Sequence, residues 1–174
     1  MCDMIQLYKN NQIRERDKLT IAGSIEKHDV YEIEKEIQNL KEERSNFYHI
    51  GSGSGKLLCQ ISLISDFKKY IGVDSVLERI KFSNSLISNF KLKNIEFQKN
   101  DLHKIDISEN SVVFLNDITM TPEETNNIFE KLPIGTLLIC FNNPKSVLPI
   151  KATRAVASWN KFLTKKVYFY LKSQ

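Results

Sequence analysis

Three glycines and one aspartate have the spacing of a site for a nucleotide-like ligand. Gly51, Gly53 and Gly55 follow the short apolar run 47–50, and Asp74 ends a second apolar run nineteen residues after Gly55. Glycines allow a ligand to approach the backbone closely, and the N-terminus of a following helix supplies free N–H donors. A carboxylate at the end of the next strand accepts hydrogen bonds from ribose hydroxyls. The spacing therefore predicts a site for a ribonucleoside.

The glycine spacing narrows the choice of ligand. The loop reads G-x-G-x-G, whereas the dinucleotide fingerprint is G-x-G-x-x-G. Lys56 follows Gly55, as in a phosphate-binding P-loop. That motif also requires Gly where Ile50 stands and Ser or Thr where Leu57 stands, so it does not match. The tighter loop suits a ligand without a pyrophosphate, and it predicts S-adenosylmethionine (SAM) bound in a class I methyltransferase fold. A purely structural turn in another doubly wound domain is the alternative.

Polar residues at the ends of two later strands are predicted to share this rim of the sheet. Asp101 with Leu102 follows the third apolar run, and Asn116 with Asp117 follows the fourth. In an open α/β sheet the ligand binds outside the carboxyl ends of the strands. Asp101 is predicted to accept a hydrogen bond from the adenine amino group, and Asn116 and Asp117 are predicted to lie beside the reactive methyl. Asp and Asn are also ordinary turn residues, and for Asp101 both interpretations stay open.

The apolar periodicity predicts the elements that must position these residues. Helices are predicted over 29–44, 57–64, 75–90 and 122–131, and strands over 47–50, 70–73, 95–98, 111–115, 136–141, 155–159 and 167–171. This alternation predicts a parallel sheet with right-handed crossovers, and the last two strands predict an antiparallel hairpin at one edge. The predicted fold is α/β: a Rossmann-like, mostly parallel seven-stranded sheet with helices on both faces.

Two predicted helices carry start signals. Asp29, with Glu32 three residues later, has the pattern of a capping box, and Thr121 precedes Pro122 as a cap precedes the first helical position. No linker, repeat or low-complexity segment interrupts the pattern. We therefore predict one domain over 1–174, with an N-terminal arm and entry loop over 1–28 and the core over 29–174.

The composition excludes several classes of protein. The chain has 174 residues, of which 41% are hydrophobic and 26% charged, as in an ordinary globular domain. No apolar run approaches the roughly 18 residues of a membrane helix. The three cysteines show no C-x-x-C spacing, so neither disulfides nor structural zinc are expected. We expect an intracellular protein that does not contact the membrane.

The charge of +4 is unevenly distributed, because no acidic residue follows Glu130. The basic residues after that point are Lys131, Lys145, Lys151, Arg154, Lys161, Lys165, Lys166 and Lys172. A segment with one sign of charge can form a basic face that attracts nucleic acid or an acidic protein surface. Solvated lysines at loop ends are the alternative.

The segments FYHIGSGSGKLLCQIS, YIGVDSVLERIKFSN, NDLHKI, SVVFLNDITMTPE and VASWNKFLTKKVYFYLKS resemble the catalytic core of Dot1-type histone-lysine methyltransferases. The resemblance runs in order over about 47–172. It implies SAM as cofactor, Leu102 packed on the adenine, Asn116 lining a lysine channel, a nucleosomal lysine as acceptor, DNA contact through basic segments and a nuclear location. Without that substrate a cytoplasmic location is expected. The predicted cofactor-binding residues are His49, Gly51, Ser52, Gly53, Gly55, Lys56, Asp74, Asp101, Leu102 and Asn116, and the predicted catalytic residues are Asn116 and Asp117.

Several positions depart from this family's pattern. The family has an acid where His49 stands, Gln where Lys56 stands, and Asn-Phe where Asp117 and Ile118 stand, and of its entry loop only Gly23 matches well. A lysine near a sulfonium is unfavourable unless it points away or pairs with the SAM carboxylate. Asp117 is predicted to stabilise the cation or to help deprotonate an incoming lysine.

Three functions are consistent with these residues. The predicted one is SAM-dependent methyl transfer to a protein lysine on a histone or another basic protein. A class I methyltransferase with another acceptor, such as RNA, is the second, although the Asn/Asp-Pro-Pro-aromatic motif of nucleic-acid amino-group methylation is missing. The third is a catalytically inert methyltransferase-like subunit kept for binding or as a scaffold, which the departures at His49 and Lys56 suggest.

Overall fold

The computed structural model describes residues 27–40, 43, 45–100, 104–144, 147–156 and 164–173. Most of the predicted arm therefore lies outside them. The elements are α1 (Lys27–Leu40), β1 (Asn46–Ile50), α2 (Lys56–Ser62), β2 (Lys69–Asp74), α3 (Leu77–Phe90), β3 (Ile95–Lys99), β4 (Val112–Leu115), α4 (Pro122–Lys131), β5 (Leu137–Cys140), β6 (Lys151–Val156) and β7 (Thr164–Leu171).

The strands form one seven-stranded sheet in the order β3-β2-β1-β4-β5-β7-β6. β1 to β5 run parallel, and β7 is antiparallel to both β5 and β6. The predicted architecture, five parallel strands with a C-terminal antiparallel hairpin, is confirmed. The strand order reverses between β1 and β4, and in sheets of this kind the ligand binds at that point.

The central strands are buried on both faces. Every residue of β4 and β5 is buried, as expected for parallel strands that are covered on both sides. On one face α1, α2 and α3 pack on side chains such as Phe47 and Phe114. On the other face α4 packs on Tyr48 and Leu138. Helices therefore cover both faces, and no described helix has the length and apolarity needed to cross a membrane.

Phe97 on β3 occupies the space that two glycines leave open. A Cβ at Gly72 would lie 2.2 Å from Cδ1 of Phe97, and a Cβ at Gly55 would lie 2.5 Å from its Cζ. Neither glycine can therefore gain a side chain without displacing the ring. The ring consequently holds the glycine loop against β2 and β3.

The predicted helix starts agree with the structure at α4 and differ at α1. Thr121 caps α4: its hydroxyl accepts the Glu124 N–H at 3.2 Å, and the Glu124 carboxylate accepts the Thr121 N–H at 2.7 Å. Asp29, however, lies inside the first turn of α1, which begins at Lys27, so the prediction of a cap there is wrong. The reason is that an acid in the first turn also interacts favourably with the helix dipole, so the same residue pattern fits both positions.

The hairpin begins earlier than predicted. β6 spans Lys151–Val156 rather than 155–159, and residues 157–163 lie outside the described part of the chain. β6 is the edge strand, and it begins where its register with β7 begins, at the pair Lys151–Phe169. An edge strand is half solvated and needs no continuous apolar run, so apolar patterning alone misplaced its start.

Candidate active site

The glycine loop follows β1 at the point where the strand order reverses. Gly51, Gly53 and Gly55 have φ values of +73°, +55° and +78°, a backbone conformation that glycine adopts without steric penalty. The N–H groups of Gly51 and Ser52 both donate to the Val73 carbonyl at 2.9 Å, which fixes the loop to the end of β2. α2 begins directly after the loop. The loop predicted from the sequence is therefore present.

Asp74, at the end of β2, contacts the loop directly. Its Oδ2 accepts the Gly53 N–H and its Oδ1 accepts the Val76 N–H, both at 2.9 Å. Nη1 of Arg79 lies 3.2 Å from Oδ2, and the Asp74 side chain is 4% exposed. A carboxylate accepts about four hydrogen bonds. A ribose hydroxyl at this position would therefore share Asp74 with Arg79 or displace it.

Two residues of α3 that no sequence pattern singled out support this arrangement. Arg79 pairs with Asp74, and the buried Ser83 hydroxyl lies 3.4 Å from the Gly53 carbonyl and donates to the Arg79 carbonyl at 2.9 Å. In the sequence only their position could have indicated this role, because both residues belong to the helix that follows the strand ending in Asp74. Together they hold the Gly53 peptide in place from the α3 side.

Two buried polar atoms in and just before the loop have no hydrogen-bond partner among the described residues: Nδ1 of His49 and Oγ of Ser52. Nε of Arg79, beside Asp74, also lacks one. The His49 ring makes an edge-to-face contact with Phe114, with 5.3 Å between ring centroids. Unpaired buried polar atoms are rare in folded proteins. Their presence in and directly before the glycine loop fits a ligand that supplies the missing partners. His49 and Ser52 were both predicted to contact the cofactor, and those contacts stay predictions.

Burial determines the charge state of His49. It lowers the pKa of His49 from the ordinary value of 6.5 to about 3, and the negative charge of Asp74 offsets this only in part. The ring is therefore neutral at pH 7.

We expect His49 to make the folded protein sensitive to mild acid. Between pH 6.5 and about 3 the unfolded chain binds a proton on this ring and the folded protein does not, so the free energy of unfolding decreases as the pH decreases. At 1.36 kcal/mol per unit, going from pH 6.5 to 4.5 removes about 2–3 kcal/mol. Urea denaturation at several pH values measures this slope.

The matched variants for that experiment are His49→Gln and His28→Gln. His28 lies on α1 with its side chain 82% exposed, so this variant is the control for replacing a histidine that is not buried. The His49→Gln protein should show a flatter dependence over pH 4.5–6.5. Equal slopes in the wild type and in His49→Gln would contradict the prediction.

Asn116 lies beside the loop, across the boundary between β1 and β4. Its N–H donates to the Ile50 carbonyl at 2.9 Å, and its Nδ2 lies 3.4 Å from the Gly51 carbonyl. A Cβ at Gly51 would lie 3.2 Å from the Asn116 Cβ. The structure therefore brings Asn116 and the glycine loop together, and its catalytic role stays a prediction.

Asp117 is fully buried and bonded within the fold. Its carboxylate accepts the N–H groups of Phe141 at 2.8 Å and Asn142 at 3.0 Å, and the Thr125 hydroxyl at 2.9 Å. Burial raises the pKa of this carboxyl, and the hydrogen bonds partly counteract the effect. The carboxylate thus joins the ends of β4 and β5 to α4. This favours a structural role over the predicted catalytic one, which stays a prediction.

Three predicted cofactor contacts remain: Lys56, Asp101 and Leu102. Lys56 is the first residue of α2 and is half-buried. Asp101 and Leu102 lie outside the described residues, so the predicted adenine contacts stay predictions. The described part of the site therefore consists of the glycine loop, Asp74 with its α3 support, His49 and Asn116.

Comparisons with known proteins agree with this geometry. A family model described as a methyltransferase domain matches residues 41–172. No curated protein has a matching sequence. The chain is similar to the RNA methyltransferase from Salinibacter ruber in complex with S-adenosyl-L-homocysteine, with 20% identity, 87% of this chain and 94% of that chain covered, and a TM-score of 0.68. It is similar to magnesium protoporphyrin IX methyltransferase from Synechocystis with bound SAM, with 11% identity, coverage of 98% and 96%, and a TM-score of 0.66.

The chain is also similar to an rRNA methylase from Streptococcus thermophilus, with 14% identity, coverage of 83% and 96%, and a TM-score of 0.57. At such identities the likeness establishes a common fold. The ligands of the first two structures are the ones expected for the cofactor predicted here. Because the family model covers most of the chain, the chain belongs to the methyltransferase domain family and has the class I fold.

Proposed function

We propose that the chain binds SAM at the glycine loop and transfers its methyl group to an acceptor beside the ends of β1 and β4. One observation carries the proposal: three left-handed glycines next to Asp74, with two buried polar atoms of His49 and Ser52 that lack partners. A ligand with ribose hydroxyls and a polar amino-acid end would pair with all of these groups.

The chain's own residues would position the reactants rather than form covalent intermediates. When bound, SAM supplies an electrophilic methyl group on a sulfonium. Asp74 would hold the ribose. Nδ1 of the neutral His49 and the Ser52 hydroxyl would form hydrogen bonds with the amino-acid end of SAM. Asn116 borders the loop from β4, where it can align the acceptor. Alignment and exclusion of water are the main requirements of such a transfer.

The narrower form of the proposal concerns the acceptor. The resemblance to Dot1-type enzymes supports a protein lysine on a histone or another basic protein, with Asn116 beside its entry. An incoming lysine must lose a proton, and Asp117, predicted to assist, is held by three internal donors. A nucleic-acid acceptor has support from the charge of the β6–β7 hairpin. A panel of histone, nucleosome and RNA substrates with labelled SAM separates these acceptors.

The first test is calorimetric titration of the purified protein with SAM and S-adenosylhomocysteine, together with the Asp74→Ala variant. We expect micromolar binding by the wild type and about 10- to 100-fold weaker binding by the variant, since a lost charge-assisted hydrogen bond is worth about 1.5–3 kcal/mol. Glu78→Ala is the matched control, because Glu78 is exposed in the first turn of α3.

The outcomes separate the functional classes. No binding by a folded wild-type protein would favour the inert subunit and overturn the proposal. Wild-type affinity in a folded Asp74→Ala protein would show that the ribose is held elsewhere. Binding without methylation of any substrate in the panel would leave the site assignment intact and contradict the catalytic role.

A further inference from the structure

The β6–β7 hairpin places two cationic side chains directly opposite each other. Arg154 pairs in register with Lys166, and both are exposed. Like charges opposite each other destabilise a strand pair. Among the described residues neither forms an ion pair with a carboxylate. The hairpin therefore keeps an unfavourable charge pair that an anionic partner would relieve.

The charges along the hairpin differ between its two ends. Lys151 pairs with Glu36 at 3.3 Å, and Lys172 pairs with Glu130 at 3.2 Å. Lys172 follows the far end of β7, whereas Lys151 begins β6 level with Ile139, one residue before the end of β5. Arg154, Lys165 and Lys166 lie at the opposite end, and no acidic residue follows Glu130 in the sequence. The net positive charge is thus concentrated at one end of the hairpin.

That end lies on the same rim of the sheet as the candidate active site. Tyr168 is paired with Cys140, the last residue of β5, so Lys166 extends two residues beyond the end of β5. Only β5 separates β4 from β7. At about 4.8 Å per strand, Lys166 lies roughly 10 Å across the sheet from Asn116, and Arg154 roughly 15 Å. At about 3.4 Å per stacked nucleotide this distance is three or four nucleotides.

An aromatic side chain accompanies the cations. Tyr168 is half-buried, and it lies on the same face of β7 as Lys166 because residues two apart in a strand share a face. On that face Tyr170 is buried, and its hydroxyl donates to Oδ1 of Asn143, just after β5. Cations that hold phosphates beside an aromatic ring that stacks on a base are the usual features of a single-strand binding surface.

We propose that Arg154, Lys166 and Tyr168, the basic hairpin end, bind single-stranded nucleic acid and present it to the active site as the methyl acceptor. This acceptor class rests on the proposed function. A lysine-rich protein segment would meet like charge at the same surface, which disfavours it.

Fluorescence anisotropy with a labelled 20-nucleotide RNA, and with DNA of the same sequence, tests the surface. The Arg154→Glu/Lys166→Glu protein keeps the same number of like-charge contacts, so it should fold as the wild type does. We expect it to bind RNA at least 10-fold more weakly, with a shallower salt dependence. The RNA and DNA arms identify which nucleic acid is bound. Lys81→Glu/Lys93→Glu, at exposed positions in and after α3, is the control with the same change in net charge.

The single variant Arg154→Glu supplies a second readout. It converts the like-charge pair into an ion pair with Lys166. We expect its melting temperature to rise by a few degrees while RNA affinity decreases several-fold. Decreases in stability and affinity together would indicate damage to the hairpin and would contradict the proposal.

Titration with SAM, run in parallel, distinguishes a failure of the nucleic-acid surface from a failure of the proposed function. One contrary outcome is a protein that binds SAM but neither RNA nor DNA. The other is an equal loss of RNA affinity in the hairpin variant and in the control protein. Either outcome overturns the nucleic-acid surface and leaves the proposed function intact. Methylation of a histone or nucleosome that does not depend on the hairpin charges would assign the acceptor to protein lysine instead. Hairpin-dependent RNA binding without SAM binding would support the surface and overturn its role in methyl transfer.

Discussion

The Gly53→Arg protein is expected to fold and to show no measurable SAM binding. Gly53 is buried with a φ of +55°, and its N–H donates to Asp74. An arginine side chain would fill the space in which the ligand approaches the loop, and it would add a cation beside Arg79. The positive φ costs a non-glycine residue about 1–2 kcal/mol. That penalty is small against a typical folding stability of about 5–15 kcal/mol.

Gly135→Ala is the control for a loss of stability that leaves the glycine loop unchanged. Gly135 has a φ of +79°, and a Cβ there would lie 2.4 Å from Oδ1 of Asn110, at the opposite end of the sheet from the glycine loop. We expect a similar loss of melting temperature and unchanged affinity. Calorimetry with S-adenosylhomocysteine compares the two variants. Wild-type affinity in a folded Gly53→Arg protein would show that the ligand does not approach this loop.

The sequence predicts the loop, Asp74 and the parallel core because each of these features has a pattern that lies within one short segment of the chain. The G-x-G-x-G spacing marks the left-handed turns, and the uninterrupted apolar run of β4 marks a strand buried on both faces. The alternation of helices and strands then restricts the topology to few choices. The observed sheet order is one that these rules allow.

The features that the sequence did not predict depend on contacts between distant segments. Phe97 fills the space above Gly55 and Gly72, which no local pattern indicates. The Asn-Asp pair at the end of β4 fits either a ligand contact or a turn. Only the position of β5 shows that Asp117 accepts N–H groups from residues 24 and 25 positions later in the chain.

Asp117→Ala is expected to lower the free energy of unfolding by about 4 kcal/mol or more. It leaves the N–H groups of Phe141 and Asn142 and the Thr125 hydroxyl without their acceptor in a buried site. Each unsatisfied buried group costs about 1–3 kcal/mol. Urea denaturation followed by circular dichroism measures the loss. Thr125→Val removes one donor and leaves two, so it should cost only about 1 kcal/mol.

The Asp117→Asn variant separates a structural from a catalytic role. The amide keeps the shape and one acceptor oxygen, but its Nδ2 would face a backbone donor, so we expect an intermediate loss of about 2 kcal/mol. If Asp117 acts only within the fold, activity should decrease in parallel with the folded fraction across these variants. If it accepts a proton during methyl transfer, the asparagine protein should bind SAM normally and lose turnover well beyond its loss of stability. That second result would support the catalytic role that the sequence predicted. Asp117, which three donors hold in this structure, would then have to exchange one of these hydrogen bonds during the reaction.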